Sequence, residues 1–152
     1  MKTVLALVLV VFSILGVADA SYLSWEKLSG TVPPCTASFK CDVVLSSEWS
    51  SVGVIPLSVF GILFYLTMLV VSSAWLLGKE QLLLGKYCLS LPKILALLGV
   101  AGLAFSVYLS FIMGVILGAW CIYCLISALN CVLLFFTTGL IYLKYNQKIC
   151  SR

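Results

Sequence analysis

The side chains able to do chemistry in this sequence are mostly thiols: there are seven cysteines and no histidine. Without histidine there is no imidazole base, no His metal ligand and no Cys-His nucleophile pair. Four of the cysteines form two close pairs. Cys121 and Cys124 stand in a Cys-Ile-Tyr-Cys motif, and Cys35 and Cys41 follow Pro33-Pro34 in a polar stretch of Thr, Ser and Lys that reads as a movable loop. In a regular helix, residues three apart keep their Cβ atoms about 5–6 Å apart, wider than the ~3.8 Å of a disulfide, but a first turn can tighten. A helix N-terminus also stabilises a thiolate through its unpaired N–H groups and its dipole. The Cys121/Cys124 pair is therefore expected at a helix start, poised to react; the plain alternative is two small apolar residues in a helix. For Cys35/Cys41 the alternatives are a static staple and a shuttle, since exchange needs only a thiolate in line with a disulfide sulfur. Four outer thiols also admit an all-cysteine zinc site, against which the spacing and an oxidising compartment both count.

The elements that position these thiols must be membrane helices. The chain has 152 residues, is 63% hydrophobic and 9% charged, whereas soluble domains run at roughly 45–50% and ~25%. Those figures exclude a soluble fold, and they exclude disorder, which requires low hydrophobicity and high charge. Ile94 to Leu143 is uncharged throughout; as one helix it would be about 75 Å long, roughly twice a membrane's depth, so it must reverse. Gly114 to Trp120 is the expected reversal, with glycines to loosen the helix and a Trp suited to the interface. The reading is an all-α integral membrane protein: one domain over 1–152, a four-transmembrane-helix bundle with spans at about 3–23, 52–77, 94–114 and 119–143, and a long outer loop at about 24–51. Lys2 and the Ala18-Asp19-Ala20 triplet alternatively fit a secretory signal with cleavage near residue 20.

Lys2, Lys79, Lys86, Lys93, Lys144, Lys148 and Arg152 fall on one side and Lys27 and Lys40 on the other. The richer side is expected in the cytoplasm with both termini, which puts both cysteine pairs at the extracytoplasmic face of the cell membrane. Cys88 and Cys150 then read as a loop and a tail thiol, and Cys131 as a small core residue; none is given a function. The net charge of +4 is scattered, so no stripe of basic residues suits a nucleic acid.

A dithiol relay needs an electron acceptor, yet the chain has no dinucleotide fingerprint, haem motif or flavin signature. The expected acceptor is a lipid quinone, such as menaquinone or ubiquinone, acting as co-substrate in a pocket with apolar walls and a few polar hydrogens. Phe60, Tyr65, Phe105, Tyr108 and Phe111 supply aromatics in the outer halves of spans two and three; aromatics at such spacing also serve as bundle packing.

Four segments resemble the vitamin K epoxide reductase (VKOR) family: CTASFKCDVVLSSEW with its loop pair and Ser47, PLSVFG at the start of the second helix, SVYL in the third, and WCIYC. The resemblance runs from about Cys35 to Cys131. It implies a four-helix bundle around a quinone and a thioredoxin-like extracytoplasmic protein as electron source. By position, Cys35 would exchange with that partner, Cys41 would pass electrons to Cys121, and Cys124 would face the quinone; Ser47 would donate to a quinone oxygen or order the loop. The implied activity is that of a thiol:quinone oxidoreductase that generates disulfides. The alternatives are an epoxide or quinone reductase of the vertebrate type, or a non-catalytic protein whose outer loop is braced by a disulfide or binds zinc. Leu57 and Ala128 stand where the vertebrate enzymes carry an Asn and a Tyr, and the loop pair is more closely spaced, which argues against epoxide reduction. Many bacterial members carry a fused thioredoxin-like domain; this chain stops at Arg152, so its partner is expected to be a separate protein.

Overall fold

The computed structural model describes residues 1–31, 33–35, 39–79, 81–84 and 87–145, with the backbone alone for 82–84 and 87–89. Four helices are long and apolar enough to cross a membrane. They are α1 (Lys2–Ser29), α3 (Leu57–Leu76), α4 (Leu91–Phe111) with its continuation to Ile116, and α5 (Ile122–Tyr145), while α2 (Cys41–Ser46) is a short helix in the first connection. The protein is a multi-pass membrane protein of the all-α bundle class expected from its hydropathy.

The ends of the helices differ from the expected spans for local reasons. α1 runs on past Leu23, because Ser24, Glu26 and Lys27 end an apolar run without ending a helix; it stops at Gly30, whose φ of 68° fits the left-handed cap. α3 begins only after Pro56, since residues 51–52 pair antiparallel with 55–56 as strands β1 and β2. Pro92, in the first turn of α4, needs no N–H there. The connection between α3 and α4, read as a plain loop, holds a hairpin of β3 (Gln81–Leu84) and β4 (Tyr87–Ser90), with Gln81 opposite Ser90. Cys88 lies in β4 with its side chain outside the described residues, as are all of Cys150, Lys86, Lys148 and Arg152.

The four long helices form a ring in the order α1, α3, α4, α5, closed by contact between α1 and α5. Without a hydrophobic drive between helices in lipid, close approach depends on small residues. A Cβ on Gly16 would lie 2.3 Å from the ring of Tyr65, and one on Gly102 2.5 Å from Phe64, so both helix pairs close through glycine. Tyr65, buried in the centre, bonds Ser127 Oγ at 2.9 Å and lies 3.3 Å from Cys131 Sγ. Val4, Val11, Leu63, Val70, Leu97 and Phe136 are exposed around the outside, as lipid-facing side chains would be. Lys2, Lys79, Lys93 and Lys144 gather at the end of the bundle that carries the hairpin; the other end carries α2, the β1–β2 pair and the reversal between α4 and α5.

Candidate active site

At that second end the chain turns back as expected, in a compact way. Past Phe111 the helix widens by one residue, with Leu117 N–H donating to Ile112 C=O at 3.0 Å. Gly118 then takes φ 55° and Ala119 N–H reaches back to Met113 C=O at 3.1 Å. A side chain on Gly114 would meet the Trp120 indole at 3.0 Å, so glycine here lets the two arms of the turn touch. Cys121 C=O accepts Leu125 N–H at 3.0 Å, which makes Cys121 the residue from which α5 departs and sets Cys124 one turn further on.

The Cys121 thiol is pulled down from the ordinary 9.0 to about 7. The largest cause is the hydrogen bond from the Cys124 thiol, followed among favourable causes by the backbone N–H groups of Cys124 and Tyr123; burial and the charge of Asp19 oppose them. These N–H groups are the unpaired donors of a helix start.

Cys35 and Cys41 are joined as a disulfide with Cα atoms 6.2 Å apart, whereas Cys121, Cys124 and Cys131 are free thiols. Two hydrogen bonds fasten the first connection to the reversal: Lys40 N–H to Trp120 C=O at 3.0 Å, and Tyr123 O–H to Pro34 C=O at 3.2 Å. Cys41 thereby packs in one apolar cluster with Val44, Met113, Ala119 and Cys121, and Cys35 and Cys124 lie at its edge. Cys41 and Cys121 are fully buried, while Cys35 and Cys124 are partly exposed.

Cys124, unlike Cys121, lines a cavity of about 440 Å³ between the four long helices, with Val44, Leu45, Ser47, Trp49 and Ser50 as a cap over one end. Its walls are apolar, with Leu57, Phe60, Phe64, Phe105, Leu109 and Met113 among them, and its polar points include Asp19, Lys27, Ser47 and Ser106. Size and lining fit the head group of a quinone, since small-molecule sites are mostly apolar hollows of about 300–1,000 Å³ with a few polar points. Lys27 Nζ donates to Leu45 C=O and to Ser50 Oγ, the latter at 2.6 Å, which holds the cap in place. Ser47 Oγ donates to Val44 C=O at 2.7 Å, ordering the same cap.

Of the residues singled out by sequence, Ser47, Phe60, Tyr65, Phe105 and Cys124 line this cavity, as do Leu57 and Ala128. Tyr108 and Phe111 do not. Both are more than half exposed, and Phe111 lines a shallower hollow between α4 and α5. The reason is helical phase: Gly102, Phe105, Ser106 and Leu109 share one face, and at 3.6 residues per turn Phe111 falls on the opposite side and Tyr108 beyond the edge. Asp19 and Lys27 escaped the sequence reading. An acidic residue inside an apolar run was the available signal for Asp19; it was masked by the resemblance of 18–20 to a cleavage site. An all-cysteine zinc site needs four thiolates, and Cys35 and Cys41 are already bonded to each other.

Compared with curated proteins, the chain finds no match. The sequence model of the vitamin K epoxide reductase family matches it over residues 7–139.

Proposed function

This chain belongs to the vitamin K epoxide reductase family, membrane redox proteins associated with quinone substrates, and we propose that within it the chain works as a thiol:quinone oxidoreductase. It takes electrons from a thioredoxin-like extracytoplasmic protein and delivers them to a lipid quinone. The observation that carries this reading is the order of positions along one cluster: Cys35 partly exposed at its edge, Cys41 and Cys121 buried together, Cys124 on the cavity wall.

From the state described, Cys121 and Cys124 join as a disulfide and give up two electrons, and the quinone leaves as quinol after taking up two protons. A carrier thiolate then attacks Cys35 Sγ, the accessible sulfur, and releases Cys41 as thiolate; the carrier's second thiol displaces Cys35 and the carrier departs oxidised. Cys41 attacks Cys121 Sγ, freeing Cys124, and Cys35 in turn attacks Cys41, which restores the outer disulfide and the Cys121 thiolate. The sum is carrier dithiol plus quinone giving carrier disulfide plus quinol. Cys121 is suited to be the leaving thiol in that last exchange, because a sulfur with a lowered pKa departs faster.

Lysines at the end remote from the cysteines support an extracytoplasmic site with cytoplasmic termini. Leu57 and Ala128, both apolar on the cavity wall, speak against the vertebrate type of epoxide chemistry. A braced loop would account for Cys35–Cys41 but leaves the acidified Cys121 without a purpose. The test is quinol formation by purified protein in quinone-loaded membranes with a reduced thioredoxin-like donor. Cys121→Ala or Cys124→Ala abolishes it; turnover at the normal rate in either variant would refute the relay and favour the brace.

A further inference from the structure

Quinone reduction consumes two electrons and two protons, and the cysteine pair does not supply both protons. With Cys121 held as a thiolate near neutral pH, closing the Cys121–Cys124 disulfide releases two electrons and one proton, that of Cys124. The second must reach a quinone held against largely apolar walls, where few groups can donate one.

Among the titratable groups on those walls, one has a buried polar atom with no hydrogen-bond partner among the described residues. Asp19, on α1, lines the cavity, and its Oδ2 is buried with no hydrogen-bond partner among the described residues. An unpaired carboxylate in such surroundings is costly, whereas the neutral acid carries a proton ready to donate. The other candidates are engaged. On α1, Lys27 Nζ is bound to Leu45 C=O and Ser50 Oγ. On α3, Tyr65 O–H is bound to Ser127, with Cys131 of α5 beside it. From α4 the lining brings serines and no titratable group, and the rest of the facing set is Cys124 and, behind it, Cys121. Asp19 is near enough for its charge to act on the Cys121 thiolate, so acid and reductant share one small volume.

We infer that Asp19 is the proton donor for quinone reduction, giving its carboxyl proton to the substrate while the Cys121–Cys124 disulfide forms. Asp19 acid, Cys121 thiolate, Cys124 thiol and quinone become Asp19 carboxylate, disulfide and quinol; charge and atoms balance. The inference rests on the thiol:quinone reading above. It also gives the relay a device for returning: the new carboxylate faces an apolar chamber and is re-protonated once the quinol leaves.

The experiment compares wild type, Asp19→Asn and Asp19→Glu as full-length protein, with decylubiquinone as the probe. Wild type needs both the Cys121 thiolate and the Asp19 acid, so its single-turnover rate of quinol formation rises and then falls with pH. Asp19→Asn is expected to be slower by about 10²–10⁴-fold, the usual share of a general acid, and to lose the alkaline fall; Asp19→Glu regains part of the rate. A second readout needs no quinone: ionisation of Asp19 opposes that of Cys121, so in wild type the two groups titrate as a coupled pair, and in Asp19→Asn the Cys121 thiolate titrates in one simple step. Reduction of Cys35–Cys41 by dithiothreitol at the wild-type rate in Asp19→Asn excludes a folding defect. The inference is overturned if Asp19→Asn forms quinol at the wild-type rate or keeps the alkaline fall. Quinol formation that survives Cys121→Ala overturns the relay itself, a different result from any outcome at Asp19.

Discussion

Replacing Cys124 by Ala should return Cys121 to ordinary thiol behaviour. The Cys124 thiol is the largest cause of the drop at Cys121 from 9.0 to about 7, so its removal leaves two backbone N–H groups against burial and the Asp19 charge, and the midpoint climbs back towards 9. At pH 7 the thiolate share then falls from roughly one half to about 1%, some fifty-fold. Reactivity falls less, because a more basic thiolate is a better nucleophile: with a Brønsted slope of ~0.4–0.5, two pKa units return about 6–10-fold. Alkylation at pH 7 should therefore slow about 5–8-fold, while well above pH 9, where both forms are largely ionised, the variant should react faster than wild type. That crossing of the two pH–rate curves is the distinctive outcome. The assay is thiolate absorbance against pH, with alkylation by iodoacetamide followed by mass, in a background carrying Cys88→Ser, Cys131→Ser and Cys150→Ser so that Cys121 and Cys124 are the only free thiols. An unchanged midpoint near 7 in Cys124→Ala would mean that the helix start alone holds the thiolate, and the argued role of Cys124 would be wrong. The folded-state value lies below the ordinary one, so thiolate formation stabilises the fold fully above pH 9 and that contribution disappears as pH falls through about 7.

Two further outcomes follow from the packing. Because Cys41 and Cys121 lie in one buried cluster, the double variant Cys35→Ser/Cys124→Ser should form a Cys41–Cys121 disulfide on mild oxidation, detected by peptide mass; two unlinked thiols after oxidation would break the relay at its central step. Gly16→Ala forces a methyl to within 2.3–2.6 Å of the buried Tyr65 ring, which its bonds to Ser127 hold in place, so overpacking should cost about 1–3 kcal/mol, seen as a lower thermal midpoint in detergent, and an unchanged midpoint would mean that the ring has room to yield.

Much of the site was legible from the sequence because membranes constrain so strongly. Hydropathy sets how many times the chain crosses, and the count of crossings decides that Cys35, Cys41, Cys121 and Cys124 meet at one end of the bundle. Gly118 and Trp120 marked the reversal because glycine admits the positive φ that a tight turn needs. Local chemistry was legible too: Cys121 at a helix start acquires its lowered pKa from donors within three residues of itself.

What the sequence left open is rotation about each helix axis. In a soluble bundle the polar face reveals which side points out, but here the lipid side and the inner side are equally apolar, so Tyr108 and Phe111 read as well as Phe60 and Phe105 until the helices were packed. The same blindness hid Asp19 and Lys27, whose approach to the cavity depends on how α1 is turned against α3 and α5. The place of Cys124 towards the quinone was implied by the family resemblance, and the structure sets it on the cavity wall; only the tertiary structure decided that Lys27 pins the cap and that the Asp19 carboxyl lines the same cavity. Chain length and apolarity dictate depth in the bilayer, whereas close contacts between small residues such as Gly16 and Gly102 dictate the angle at which each helix meets the next.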